Sequence, residues 1–310
     1  MVDVLLFAYP DIENKSQDKF HCSVGIMAFN EEANIAKTLQ AVLDQKTTTC
    51  SIDEVIVVAS GCTDNTETIV RSFCDLYPQV TLLVEKCREG KASAVNLFLS
   101  HVSNNILIAV GADTIPAPDA LQRLVEPFID PEVGMTGGHP IPINDPDRFM
   151  GFAVHLLWEL HHQIALKTPK LGEMTAYRKI FQRIPVRSSV DEAAMEPLIR
   201  GQGYKLRYVP EAIVFNRGPE TVKDFLKQRR RIYAGHLQMR RKQGYQVSTM
   251  SGLNILPALL RAWKWDWQFI YWMPFVVLLE AYGRLLGWVD FNFKKQDHAI
   301  WERVETTKVL

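Results

Sequence analysis

Four apolar runs alternate with helix-patterned segments over the first 115 residues: CSVGIMAF (22–29), DEVIVVAS (53–60), VTLLVEK (80–86) and NILIAVGAD (105–113). No other feature constrains the fold as tightly. Residues 55–58 are four apolar side chains in succession, the pattern of a strand covered on both faces, as in parallel sheets. Between the runs, Ile35, Leu39, Val42 and Leu43 share one helical face. Residues 61–66 are rich in helix-capping side chains, and 92–102 patterns as a third helix. Repeated strand–helix–strand units predict a doubly wound α/β sheet. Such sheets bind ligands beyond the C-terminal ends of their strands. Those ends carry Asn30 and Glu31, Ser60 and Asp64, Arg88 and Lys91, and Asp113.

The rest of the chain is patterned differently. A strand with a Gly-Gly bend is expected over 133–143, and a long amphipathic helix over 149–166. A strand or loop follows at 172–179, then a helix opening on Asp191-Glu192, a strand pair within 203–219 and a strongly basic helix over 223–245. From about residue 255 the chain is rich in Trp, Leu and Phe. Its longest uncharged run, 267–279, is broken by Pro274 and ended by Glu280, short of the roughly 20 residues that span a bilayer. Flanking tryptophans with Arg261, Lys264 and Arg284 suit a membrane interface. The alternative is a helical hairpin packed on the core or on a second copy of the chain. The organisation read from these patterns is a lead-in over 1–21, a catalytic domain over 22–245 divided near 115, and a C-terminal amphipathic, membrane-interfacial helical region over 246–310.

Charge and cysteines narrow the classes. Lys+Arg and Asp+Glu both number 35, so nothing overall favours a nucleic-acid partner. The five cysteines are odd in number and lack C-x-x-C spacing, which speaks against a disulfide framework or a structural zinc. The first fifteen residues have no basic segment before their short apolar run, unlike a signal peptide, and a cytoplasmic location is expected. His155, His161 and His162 lie on one apolar-faced helix at spacings that favour packing over metal binding. Asp113 stands out, because it ends an apolar strand where packing gives no reason for a carboxylate.

Six motifs stand in series: AFNEE (28–32), VVASGCTDNT (57–66), REGKASAVN (88–96), VGAD (110–113), DEAAMEPLIRGQGYKLRYVPEA (191–212) and QRRRIY (228–233). Their order and spacing resemble glycosyltransferase family 2, the inverting enzymes of the GT-A fold, across about residues 22–240. The resemblance implies a Rossmann-like mixed sheet flanked by helices and a nucleotide-sugar donor. It implies donor contacts from Ala28, Asn30, Glu31, Ser60, Lys91, Ala112, Asp113, Gln228 and Arg231. Gly172, Glu173 and Arg178 fall on the acceptor-facing segment. A divalent metal, Mg or Mn, falls to Asp113, with His236 a candidate second ligand. The acceptor base is Asp191 or Glu192: counting back from Gly203-Tyr204 selects Glu192, and residue type selects Asp191.

Departures from the family pattern bear on the same site. Gly111 replaces the first acid of the Asp-x-Asp motif, Ala59 and Ser60 replace the acids that meet base and ribose, and Ile232 replaces a tryptophan. Lys91 is then expected to meet the diphosphate directly, while Arg229 and Arg230 are available to anionic lipid. The expected activity is transfer of a sugar to a hydroxyl of a lipid-linked or polysaccharide intermediate of the cell envelope, at the inner membrane face, with peripheral membrane contact and possible homo-oligomer formation. A nucleotidyltransferase and a non-catalytic binding or scaffold protein are the alternatives.

Overall fold

The computed structural model describes residues 19–185, 191–245, 247–250, 252–294 and 307, with backbone alone for 191–193, 243, 249, 252–254 and 294. All but the last three residues of the expected lead-in lie outside these bounds. The strand–helix alternation forms as β1 (Phe20–Ala28), α1 (Ile35–Leu43), β2 (Cys50–Ser60), α2 (Thr66–Leu76), β3 (Val80–Glu85), α3 (Lys91–His101) and β4 (Ile106–Gly111). The second half adds β5 (Thr114–Pro116), α4 (Ala120–Val125), β6 (Val133–Pro142), α5 (Phe149–Ala165), β7 (Met174–Arg178), α6 (Asp191–Gly201), β8 (Lys205–Asn216) and α7 (Val222–Gln243). Helices α8 (Gly252–Ala262) and α9 (Trp267–Val289) follow.

One mixed sheet of eight strands runs through both halves in the order β3-β2-β1-β4-β7-β6-β8-β5. The first four strands are parallel; β7 is antiparallel to both β4 and β6, and β8 runs parallel to β6. Residues 55–58 show why the apolar run is continuous. Val55 and Val57 pack in the cluster with Ile35, Leu39 and Val42 of α1, whereas Ile56 and Val58 pack with Val95 and Phe98 of α3. Side chains alternate across a strand, so a strand buried on both faces needs apolar residues at every position.

Two expectations are corrected here. The strand pair within 203–219 is a single twelve-residue strand, β8, which carries Pro210. Its register against β6 jumps between Gly137 and His139, an irregularity that accommodates a residue with no N–H to donate. Pro274 does not end its helix either. α9 continues through it, and the helical span Trp267–Phe293 has 27 residues with an 18-residue window of mean hydropathy 1.3, long and apolar enough to cross a membrane. The buried stripe Phe269, Val276, Gly283 and Gly287 packs this helix on the protein and offsets the missing hydrogen bond. At Gly287 a Cβ would stand 2.6 Å from the Arg230 carbonyl oxygen of α7, so only glycine permits that approach.

The basic helix α7 is tied down by α9. Arg229 makes a bidentate pair with Glu280, Nε at 2.6 Å and Nη2 at 2.8 Å, and Arg230 pairs with the fully buried Asp290. These two arginines thus anchor α9 instead of facing lipid. The opposite face of α9 leaves Tyr271, Phe275, Leu278 and Tyr282 at least half exposed. The packed reading of the C-terminal region thus holds for one face of α9, and the other face is an uncovered apolar surface.

Candidate active site

The strand ends converge on one cavity of about 620 Å³. Ala28 comes from β1, Ser60 from β2, Gly111 from the end of β4, and Lys91 from the start of α3. Glu31, Ala112, Asp113, Gly172 and Glu173 join them, and Gln228, Arg231 and His236 enter from α7. Most of the residues selected from sequence thus share one wall.

The turn that bears Asp113 is built rigidly. Thr38 of α1 is fully buried and donates to the Ala112 and Thr114 carbonyl oxygens at 3.1 and 2.9 Å. Thr114 Oγ1 donates back to the Gly111 carbonyl at 2.8 Å. The absent first acid has a steric counterpart: a Cβ at Gly111 would lie 3.0 Å from Thr114 Cγ2 and 3.3 Å from Asp113 Oδ1. An acid there would crowd the acid that remains.

Two other oxygen donors flank this turn. Glu173, at φ 60°, sits opposite Gly111, whose N–H donates to its carbonyl at 3.2 Å. Asn216, at the end of β8, pairs with Thr114, and its buried Oδ1 has no hydrogen-bond partner among the described residues. Carboxylate and amide oxygens suit a hard divalent cation that keeps substrate phosphate oxygens and waters in its shell. Asp113, Glu173 and Asn216 are therefore the residues whose chemistry fits Mg²⁺ or Mn²⁺.

His236 does not fit that role. It is 5% exposed, and its imidazole is held well below its ordinary pKa by burial and then by the charges of Lys170, Arg229 and Arg284. A cationic setting repels a metal ion. Among the described residues no three His, Cys, Asp or Glu side chains gather into a metal-binding group. The helix histidines pack as expected: His155 Nε2 meets the Asn144 carbonyl at 2.9 Å, and the His162 ring stacks on His139 at 4.2 Å.

Two more assignments change. Arg178 does not line the cavity. It pairs with Ile106, at the far end of β4 from Asp113, and donates to the carbonyls of Val133 and Phe128 at 2.8 Å and of Asp130 at 3.3 Å. Its role is to hold the segment before β6. Asn30, at φ 53°, is a clip between loops: its Nδ2 donates to Thr63 Oγ1 at 3.0 Å and its Oδ1 accepts from the Thr63 N–H at 2.8 Å. It orders the loop from which Glu31 enters the cavity without lining the cavity itself. The side chains of Asp191 and Glu192 lie outside the described residues; their backbone opens α6.

Arg88, placed with Lys91 at a strand end by the sequence, lines the cavity, its guanidinium 3.7 Å above the Phe29 ring and its pKa lowered by burial. Gly61 makes room for it: at φ 64°, its Cβ would stand 2.6 Å from the Arg88 amide nitrogen. Sequence patterning missed several other lining residues. Lys170, Asn216, Arg217 and Arg284 also line the cavity. Asn216 had a signal in retrospect, a polar residue closing an apolar strand exactly as Asp113 does. Lys170 had none, because it follows α5 in an irregular segment.

A mixed sheet with a polar, cation-rich cavity at its parallel strand ends defines a nucleotide-binding transferase fold of the GT-A type. The glycosyl transferase family 2 model matches residues 23–189, more than half of the chain, which therefore belongs to that family. A second model, glycosyl transferase family group 2, matches 187–291. Among curated proteins, glycosyltransferase AglE of Haloferax volcanii is 35% identical over 117 residues, 38% of each chain. The poly-beta-1,6-N-acetyl-D-glucosamine synthase of Staphylococcus aureus is 25% identical over 223 residues, 68% of this chain and 53% of that protein. The chain thus spans about half or less of the length of these relatives. The mannosyltransferase PcManGT from Pyrobaculum calidifontis, solved with GDP-Man and Mn²⁺, superposes with a TM-score of 0.64 at 21% identity, covering 90% of this chain and 89% of that one. At that identity the likeness establishes the fold.

Proposed function

We propose that the chain transfers a sugar from a nucleotide-sugar donor to a hydroxyl acceptor with inversion at the anomeric carbon. The observation that carries this reading is the convergence of Asp113, Glu31, Ser60, Lys91, Gln228 and Arg231 on one cavity at the strand ends. The fold neighbour's complex with GDP-Man and Mn²⁺ supports the donor class and the metal. Ser60 and Glu31 would meet the nucleoside in place of the missing acids, and Lys91, Arg88 and Arg231 the diphosphate. Arg suits phosphate oxygens through its planar fork. Asp113, with Glu173 and Asn216 beside it, would hold the divalent ion, which when bound supplies positive charge to the departing diphosphate. Asp191 or Glu192 takes the acceptor proton as the hydroxyl oxygen bonds to the anomeric carbon; the bond from that carbon to the diphosphate breaks, and the nucleoside diphosphate leaves.

The acceptor is a lipid-linked or polysaccharide intermediate, reached from the cytoplasmic face with the exposed side of α9 resting on the membrane. A scaffold role gains some support from Gly111 and Ala59, but the oxygen donors around Asp113 speak for catalysis. The test is donor hydrolysis and transfer across a panel of nucleotide sugars, with and without Mn²⁺, for the wild type and Asp113→Asn. The substitution should lower the rate about a hundredfold or more. Retained transfer by Asp113→Asn overturns the metal-assisted mechanism, and retention of configuration in the product overturns inversion.

A further inference from the structure

The cavity continues past the donor end into a chamber of different character. Its walls come from α5, α8 and α9 and are apolar: Leu157, Trp158, Leu259, Val276 and Val277 line it. Val277 is also 47% exposed, so the chamber wall is continuous with the uncovered apolar face of α9.

Inside this apolar chamber lies a cluster of charge. Arg229 and Arg284 share one carboxylate, Glu280, with Arg284 Nε at 2.8 Å from it. Lys170 lines the same space and has no ion pair among the described residues. Burial, then the charge of Arg229, lowers its pKa to about 8. The nearby acid Glu196 is committed elsewhere, accepting from the Tyr245 hydroxyl at 2.6 Å and the Leu171 N–H at 3.1 Å. Two neutral imidazoles, His161 and His236, also border the cavity, and the buried His161 Nδ1 has no partner among the described residues. Around the whole cavity, seven cationic side chains face four carboxylates among the described residues, in a chain whose net charge is zero.

Excess positive charge enclosed by hydrocarbon is costly unless an anion joins it. Apolar walls leading to an exposed apolar helix face have no use for a free inorganic anion. We propose that this chamber binds a phosphate esterified to a long hydrocarbon chain, with the phosphate between Lys170, Arg229 and Arg284 and the chain passing Leu259 and Val277 toward the surface of α9. The acceptor is then lipid-linked through phosphate, and its glycan or hydroxyl end reaches the donor near Asp113. The inference rests on the glycosyl-transfer reading and selects among its acceptors. Lys170 is the central contact because, of these three cations, it alone has no ion pair among the described residues.

The experiment is isothermal titration of the full chain with farnesyl phosphate, farnesol and inorganic phosphate. Farnesyl phosphate should bind about tenfold or more tighter than either fragment, since both charge and chain contribute. Lys170→Met should weaken it about tenfold or more, Lys170→Arg should hold it within about threefold, and Val277→Arg, at the exit, should also weaken it. Equal affinity for farnesol removes the phosphate from the account. Equal affinity for inorganic phosphate removes the lipid. Wild-type affinity in Lys170→Met overturns the assigned cluster. Titration of the same preparation with nucleotide sugars and Mn²⁺ separates the two readings: donor binding without farnesyl phosphate binding sinks this inference alone, and absence of donor binding sinks the transfer reading beneath it.

Discussion

Glu280→Gln is the perturbation whose size follows most directly from the structure. The Glu280 side chain is 14% exposed and accepts three charge-assisted hydrogen bonds, two from Arg229 and one from Arg284. Burial pushes its pKa up, but the two guanidiniums outweigh burial and hold the carboxyl at about 2, below the ordinary 4.5. A depression of that size corresponds to about 3 kcal/mol of stability near pH 7. Because the folded-state pKa is lowered, this contribution is complete above pH 4.5 and is lost as the pH falls toward 2. Glutamine cannot carry the charge and so withdraws from both guanidiniums the carboxylate they share inside the protein. Urea unfolding followed by tryptophan emission should show Glu280→Gln less stable than wild type by about 3 kcal/mol at pH 7, with the gap shrinking to about 1 kcal/mol at pH 3. A gap below about 1 kcal/mol at pH 7, or one independent of pH, would refute the account of how α9 is held on α7.

Other outcomes follow from the same contacts. Of Asp191→Asn and Glu192→Gln, one should lower transfer about a hundredfold or more while the other stays within a few-fold; near-normal turnover in both removes the carboxylate base. Arg178→Met should cost about 2–4 kcal/mol of stability by orphaning three carbonyls, with acceptor KM unchanged. A raised KM without loss of stability would return Arg178 to the acceptor site. Gly61→Ala places a Cβ against the Arg88 backbone at a positive φ, and should weaken donor affinity in a calorimetric titration while costing about 1–2 kcal/mol in unfolding. Unchanged affinity there would mean that the position of Arg88 does not matter to the donor.

Much of the site was legible in the chain itself. Asp113, Ser60 and Lys91 sit where an apolar run stops or a helix starts, and the fold carries such positions to a common edge whatever the details of packing. Glu173 and Asn216 were harder. Each is within one strand of the Asp113 turn, but that adjacency depends on β7 and β8 entering the sheet beside β4 and β5, a pairing of residues far apart in sequence. Local periodicity carries no record of which strands become neighbours.

The sequence by itself determined the repeated strand–helix units, the two-faced burial of residues 55–58 and the polar strand ends, because these follow from side-chain periodicity and local burial. Only the tertiary structure decided what the charges do. Arg178 satisfies backbone carbonyls, Arg229 and Arg230 fasten a helix fifty to sixty residues away, and Lys170 enters an apolar chamber. An arginine on a helix face reads the same in sequence whether it meets lipid, diphosphate or a buried carboxylate. Its energy is set by the partner and the solvent left around the pair, and both are supplied by distant parts of the chain.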